Sequence, residues 1–191
     1  MIASILEEVV FVSVRMACLQ DVPRILEIYG PYVENTAISF EYAVPSLEEF
    51  TRRFLSITAQ FPWLVWEEGG QVLGYAYGSR PFERAAYQWN ASASIYLCPE
   101  ACGKGIGKQL YAALEQLLQR QGYRKVYAVI TTANDASVAF HKAVGYRHTA
   151  TMSDCGYKFG KWYGTVWMEK ALNTWDAPLR EPISIHQLSK Q

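Results

Sequence analysis

The sequence predicts an α/β protein built on a single mixed β-sheet, and three observations carry that expectation. Trp63–Glu68 and Val72–Tyr77 are apolar runs flanking Gly69-Gly70, the pattern of a hairpin with a two-residue turn and therefore of an antiparallel pair. Ala91–Leu97 and Val126–Thr131 are strand-like and enclose an amphipathic helix. The right-handed crossover that such a unit requires makes those two strands parallel. At 191 residues, half of them hydrophobic and 14% aromatic, the chain is long enough for one domain with a packed core.

In chain order, Met1–Val14 is apolar but holds Glu7 and Glu8 and lacks a basic start. It reads as a leader over residues 1–11 rather than a signal peptide. Phe11–Met16 alternates as a strand. Asp21 is placed to cap a helix with Val22, Ile25, Ile28, Tyr29 and Tyr32 on one side, Pro23 being tolerated in its first turn. Ser46-Leu47-Glu48-Glu49 has the form of a capping box, with Leu47, Phe50, Phe54 and Ile57 as the buried stripe of the next helix. After the hairpin, Gly78–Gln88 is a polar loop carrying prolines and arginines. The helix between the parallel strands sets Ile106, Leu110, Leu114 and Leu117 on one face and stops before Gly122. Val126–Thr131 is expected to be buried throughout, and Asp135–Val144 is a short helix stopped by Gly145. Tyr146–Lys158 and Tyr163–Lys170 complete the sheet. From Asn173 to Gln191 no periodicity survives, so residues 173–191 read as an appended tail to a domain over 12–171.

Cys102-Gly103-Lys104-Gly105-Ile106-Gly107-Lys108 is the most specific motif. Glycines between a strand and a helix leave bare N–H groups at the helix N-terminus, a receptor for a pyrophosphate. Lys108 is followed by Gln109, so the Ser/Thr of a Walker loop is missing. Gly103-x-Gly105 is followed three residues on by Lys108 rather than Gly, so the dinucleotide fingerprint fails as well.

The remaining pattern resembles the loop of the GNAT superfamily of acetyl-CoA-dependent N-acyltransferases, Arg/Gln-x-x-Gly-x-Gly/Ala. The resemblance extends to Asn134-Asp135-Ala136-Ser137, Phe140-His141 and Gly145-Tyr146. Gly156-Tyr157-Lys158-Phe159-Gly160-Lys161-Trp162, Val166-Trp167-Met168, Thr36-Ala37-Ile38-Ser39-Phe40-Glu41 and Gly74-Tyr75-Ala76-Tyr77 are similar to the phosphinothricin acetyltransferase branch. The match spans about residues 12–171. It implies a mostly antiparallel mixed sheet flanked by helices, acetyl-CoA as co-substrate, no metal, and a primary amine on a small amino-acid-like molecule (phosphinothricin or methionine sulfoximine type) as acceptor. A cytoplasmic homodimer is implied too.

The resemblance assigns coenzyme A to Ile95, Tyr96, Leu97, Cys102, Gly103, Lys104, Gly105, Ile106, Gly107, Lys108, Asn134 and His141. The Leu97 N–H is the expected oxyanion donor. Asn134 reads equally as a pantetheine contact or a helix cap, and His141 as a general acid toward the thiolate or a core histidine. Phe40, Glu41, Arg80, Arg84, Tyr87 and Tyr157 are the acceptor candidates, the arginines as a carboxylate clamp or as solvated loop residues. Two positions depart from the branch. Ser92 stands where a Glu takes the ammonium proton, so Glu41, Glu83 or a water chain takes over, or transfer is slow. Cys102 stands for the Arg/Gln that opens the loop, removing one charge-assisted contact of about 1.5–3 kcal/mol.

Lys+Arg and Asp+Glu balance at 18 each, which gives no drive toward nucleic acid. No apolar run reaches the length of a membrane span. Four cysteines and three histidines form neither a disulfide framework nor a zinc-pair spacing, which fits a reduced compartment. Two other functions compete with acetyl transfer: a weakly active acetyl-CoA-binding protein, motivated by Ser92, and a thiol hydrolase using a cysteine with His141.

Overall fold

The structure, a computed structural model, describes residues 12–174 and 179–188. The expected leader and parts of the tail lie outside those residues. Seven strands form one sheet: β1 (Val12–Met16), β2 (Trp63–Glu68), β3 (Gln71–Ser79), β4 (Asn90–Leu97), β5 (Lys125–Thr131), β6 (Arg147–Lys158) and β7 (Lys161–Ala171). Their order is β1-β2-β3-β4-β5-β7-β6. Every neighbouring pair is antiparallel except β4 with β5, as the crossover between them requires. The β2–β3 hairpin turns on Gly69 and Gly70 at φ +57° and +76°, the doubly left-handed turn that matches strand twist and that glycine enters without strain.

Helices α1 (Val22–Asn35) and α2 (Leu47–Thr58) cover one face of the sheet. There Phe50 and Phe54 meet Trp63, whose ring stacks on Tyr77 at 4.1 Å, and Tyr96 meets Tyr29, Tyr32 and Tyr75. Helix α3 (Ile106–Gln121) packs on the other face through buried Ile106, Leu110, Leu114 and Leu118. Helix α4 (Asp135–Ala143) leads from β5 to β6.

Several side chains depart from their expected places. Asp21 does not cap α1 with its carboxylate. That group turns back to Arg15, 2.7 and 2.8 Å from its two terminal nitrogens, and to the Cys18 N–H at 2.8 Å. An available guanidinium binds a carboxylate more strongly than a helix amide does. Ser46 does cap α2, accepting from Glu49 N–H, but Glu49 pairs with Arg53 at 2.8 Å. Leu47 is 47% exposed, since it stands in the first turn, ahead of the contact with Trp63. In α3 the buried repeat is 110–114–118, every fourth residue, and Leu117 turns toward β1. Strand β5 alternates instead of being buried throughout, with Val129 in solvent.

Residues 179–188 return to the body. Ile183 N–H donates to Gln121 O at 2.9 Å, and the fully buried Gln121 amide donates to Gln60 O and Ile183 O at 2.7 and 2.8 Å. The one-turn helix α5 (Ile185–Leu188) buries Ile185 and Leu188 beside Leu117 and Val14.

Candidate active site

The site begins where the parallel pair, β4 with β5, comes apart. Strands β4 and β5 pair from Asn90↔Lys125 to Ser92↔Tyr127, while β4 runs on to Leu97 and β5 to Thr131. On its other edge β4 stays paired with β3, and Cys98 N–H donates to Leu73 O at 2.8 Å. Amides alternate sides along an antiparallel ladder, so the N–H and C=O groups of Ile95 and Leu97 point away from β3, into the gap. Those of Tyr96 are directed to β3, and its ring lies in the aromatic layer under α1. The Leu97 carbonyl accepts the Tyr32 hydroxyl at 2.5 Å, which ties the end of β4 to α1.

From Leu97 a groove of about 500 Å³ runs to the glycine loop, lined by Ile95, Cys102, Gly103, Gly105, Gly107 and Lys108 among others. The glycines divide by role. Gly103 and Gly105 hold φ +76° and +79°, and a Cβ on either would meet nothing within 4 Å, so the backbone there is bare. Gly107 is a packing glycine: a Cβ would come within 3.2 Å of the Phe140 ring and 3.3 Å of Ile95. Gly105 caps α3 without a side chain and no acidic residue stands in the first turn, so the first amides face the groove without a side-chain acceptor. Lys108 lines the groove, while Lys104 is exposed outside its lining. Cys102 is exposed at the groove wall, its thiol 3.5 Å from Cys98 O.

Asn134 serves both of its readings at once. Its Oδ1 caps α4 by accepting from Ser137 N–H at 3.1 Å, and its side chain lines the groove with the amide NH2 still to spend. His141 is 2% exposed. Its Nδ1 lies 2.7 Å from the Ser137 carbonyl, which only accepts, so Nδ1 carries the proton. Nε2 then accepts from the Tyr111 hydroxyl at 2.9 Å. Burial pushes the imidazole below its ordinary pKa, against the Ser137 bond. In this tautomer Nε2 has no proton to hand to a thiolate.

Ser92, Ser94 and Tyr96 point to the opposite face from the groove, toward α1 and α2. Ser92 lies between Ser79 and Tyr127 in register, with no carboxylate in its place. The acceptor candidates fall into two groups. Phe82 joins Tyr87, Tyr127 and Trp167 in one aromatic cluster. Arg80 and Arg84 are exposed on the same loop as Phe82 and pair with no carboxylate among the described residues, and Arg80 lies near Tyr123, just past α3. Phe40 packs against Gly156, where a Cβ would come within 2.3 Å of its ring, and Tyr157 meets Trp162 at a tilt, ring centres 5.2 Å apart. Glu41 accepts from Arg53 at 2.6 Å and from the Tyr29 hydroxyl at 3.1 Å.

Sequence reasoning missed Tyr111 and the hydroxyl role of Tyr32, although a tyrosine in a buried stripe signals an O–H in need of a partner. Lys158 gave no signal either. It is 2% exposed and donates to Val33 O and Ser39 O at 2.6 and 2.7 Å.

This arrangement of split strands, bare-amide loop and helix defines an acyl-carrier transferase fold. The acetyltransferase (GNAT) domain model matches residues 14–167, so the chain belongs to the GNAT acetyltransferase family. It is 34% identical to a phosphinothricin N-acetyltransferase of Alcaligenes faecalis, over 88% of this chain and 87% of that protein. It is 35% identical to an L-methionine sulfoximine/L-methionine sulfone acetyltransferase of Pseudomonas aeruginosa, over 84% and 95%. Its structure superimposes on a GNAT phosphinothricin acetyltransferase from Sinorhizobium meliloti in complex with acetyl-CoA, with TM-score 0.83, 38% identity, and 90% and 92% coverage.

Proposed function

We propose that the chain transfers acetyl from acetyl-CoA to the primary amine of a small amino-acid-like molecule, of the phosphinothricin or methionine sulfoximine type. The observation that carries this reading is the groove that starts on bare loop amides and ends at Leu97, where a main-chain N–H points into the strand gap. In this reading the loop amides and Lys108 hold the pyrophosphate, and Asn134 and Ile95 take the pantetheine arm. The Leu97 N–H receives the oxyanion of the tetrahedral intermediate. His141 is a positioning residue, holding Tyr111 at the wall of the strand gap. Arg80 and Arg84, with no carboxylate partner among the described residues, are suited to a substrate carboxylate, and the relatives' names support that substrate class.

A coenzyme A donor and four unpaired cysteines support a cytoplasmic setting. We infer a homodimer through β6, an edge strand whose residues Arg147–Cys155 are all exposed, beside Trp162 at 62% and Phe159 at 56%. Sedimentation velocity showing only monomer at micromolar concentration would dismiss it.

A thiol-release assay over a panel of amines tests the activity. Acetyl-CoA turnover is expected with amino-acid-like amines and not with peptides or polyamines. Acetyl-CoA binding with no release on any amine would favour the second reading, a weakly active binding protein, to which Ser92 points. An amine-independent release lost on cysteine alkylation would favour the hydrolase.

A further inference from the structure

An acceptor amine reaches the enzyme as an ammonium and must lose a proton before its lone pair can attack the thioester. The Ser92 hydroxyl is no base at neutral pH, so the proton needs another destination on the same face of β4. Building on the N-acetyltransferase reading, we propose that Glu41 is that destination: its free oxygen binds the acceptor ammonium and takes its proton.

The placement comes from α1. Tyr29 spans the two sides, its ring edge-on to Tyr96 at 5.0 Å and its hydroxyl on Ser39 Oγ at 2.7 Å and Glu41 Oε1 at 3.1 Å. Tyr96 shares its face of β4 with Ser92 and Ser94, so Glu41 hangs over the face that lacks the carboxylate. Arg53 and Tyr29 both bond to Oε1. Oε2 has no partner among the described residues, and the side chain is 33% exposed, which leaves a carboxylate oxygen open to a ligand.

Four other carboxylates lie in ion pairs of their own. Glu115 pairs with Lys170, Glu169 with Lys125 and Arg147, and Asp21 and Glu67 with Arg15. The Glu83 considered from the sequence is exposed on its loop.

The groups that face Glu41 come from every element around it. Arg53 of α2 is shared with Glu49, Lys158 of β6 is bonded to the Ser39 carbonyl, and Tyr29, Tyr77 and Tyr96 present phenols. Burial pushes the Tyr77 and Tyr96 phenols up and Glu41 adds to it, which agrees with a carboxylate close to β3 and β4.

The step balances as follows. The nitrogen forms a bond to the acetyl carbon, the carbon–sulfur bond breaks, and its electron pair leaves on sulfur. Of the two protons the nitrogen sheds, one goes to Glu41 Oε2 and on to water, the other to the departing thiolate.

Steady-state kinetics with the best amine of the panel tests this in the full chain. Glu41→Gln keeps the Oε1 acceptor for Arg53 and Tyr29. It is expected to lower kcat/KM for the amine about 100-fold, with KM for acetyl-CoA within about twofold of wild type and the acidic limb of the pH profile lost. Adding Ser92→Glu to that variant is expected to restore at least about tenfold and to bring back an acidic limb. Glu41→Gln at near wild-type rate with the limb intact overturns the proposal. A slow variant with an unchanged limb and no rescue by Ser92→Glu marks Glu41 as merely structural and overturns it as well. A wild-type chain inactive on every amine removes the acetyltransferase reading and this proposal together, an outcome recognisable before any variant is made.

Discussion

At Asp21 one carboxylate holds the end of β1 to the start of α1. Its bonds to Arg15 lower its pKa from 3.8 to about 2, against the cost of burial. A depressed folded-state pKa contributes stability that is present above the unfolded value and lost as pH falls through the folded one. Asp21→Asn is therefore expected to cost about 1–2 kcal/mol at pH 7, the partial exposure of Arg15 limiting the effect. The variant's urea midpoint should also lose its acid dependence between about pH 4 and 2. An acid limb as steep as wild type would show that the pair is not responsible. The loop glycines make a second residue-scale contrast. Gly105→Val forces a β-branched residue into the left-handed region at bare backbone, so coenzyme A affinity should drop at least about tenfold by titration calorimetry with helical content retained. Gly107→Ala touches Phe140 and Ile95 instead. It is expected to lower stability by about 1–2 kcal/mol while leaving affinity closer to wild type.

Among the elements, α3 shows what a periodic pattern does and does not say. Leu110, Leu114 and Leu118 are each 0% exposed, whereas Leu117, one position before the last, lies against the groove shared with α5. A stripe read at spacings of three and four accepts either leucine, and the sheet decides between them. Leu118→Ala is expected to cost about 3–4 kcal/mol in urea unfolding, and Leu117→Ala about 1 kcal/mol. Equal losses would contradict the packing described. The turn of the β2–β3 hairpin, by contrast, was legible, although the register shift at Trp66/Glu67 and the extension of β3 to Ser79 were not. Two glycines between apolar runs fit one turn type, and the register Glu68↔Gln71 follows from it.

At the scale of the molecule, the two ends of the α3–β5 connection are covered by a segment with no periodicity of its own. Gln121 is the sign of it, a buried amide whose donors reach Gln60 and Ile183. Ending the chain after Asn173 would expose that amide and strip Ile185 and Leu188 from the groove. Net of the ordering entropy regained, the loss is expected at about 1–3 kcal/mol, measured as a shift in the urea midpoint. Wild-type stability in the shortened chain would show that the segment only rests on the surface.

Much of the candidate site could be read directly from residues. The glycine loop, the strand that ends at Leu97 and the Asn134 cap are local patterns, each set by backbone geometry within a few residues. Ser92 announced the missing carboxylate in the same way. The sequence by itself therefore determined the mixed sheet, its parallel pair, the glycine loop at the start of α3 and the serine at position 92. It left open what surrounds Glu41, where the His141 proton sits, and which leucine of α3 is core. Those answers depend on partners distant in the chain: Tyr29 against Tyr96, Tyr111 against His141, and the tail against Leu117. Only the tertiary structure decided them, because a hydrogen bond or a packed contact has its free energy set by the neighbour that arrives, and no local pattern names that neighbour.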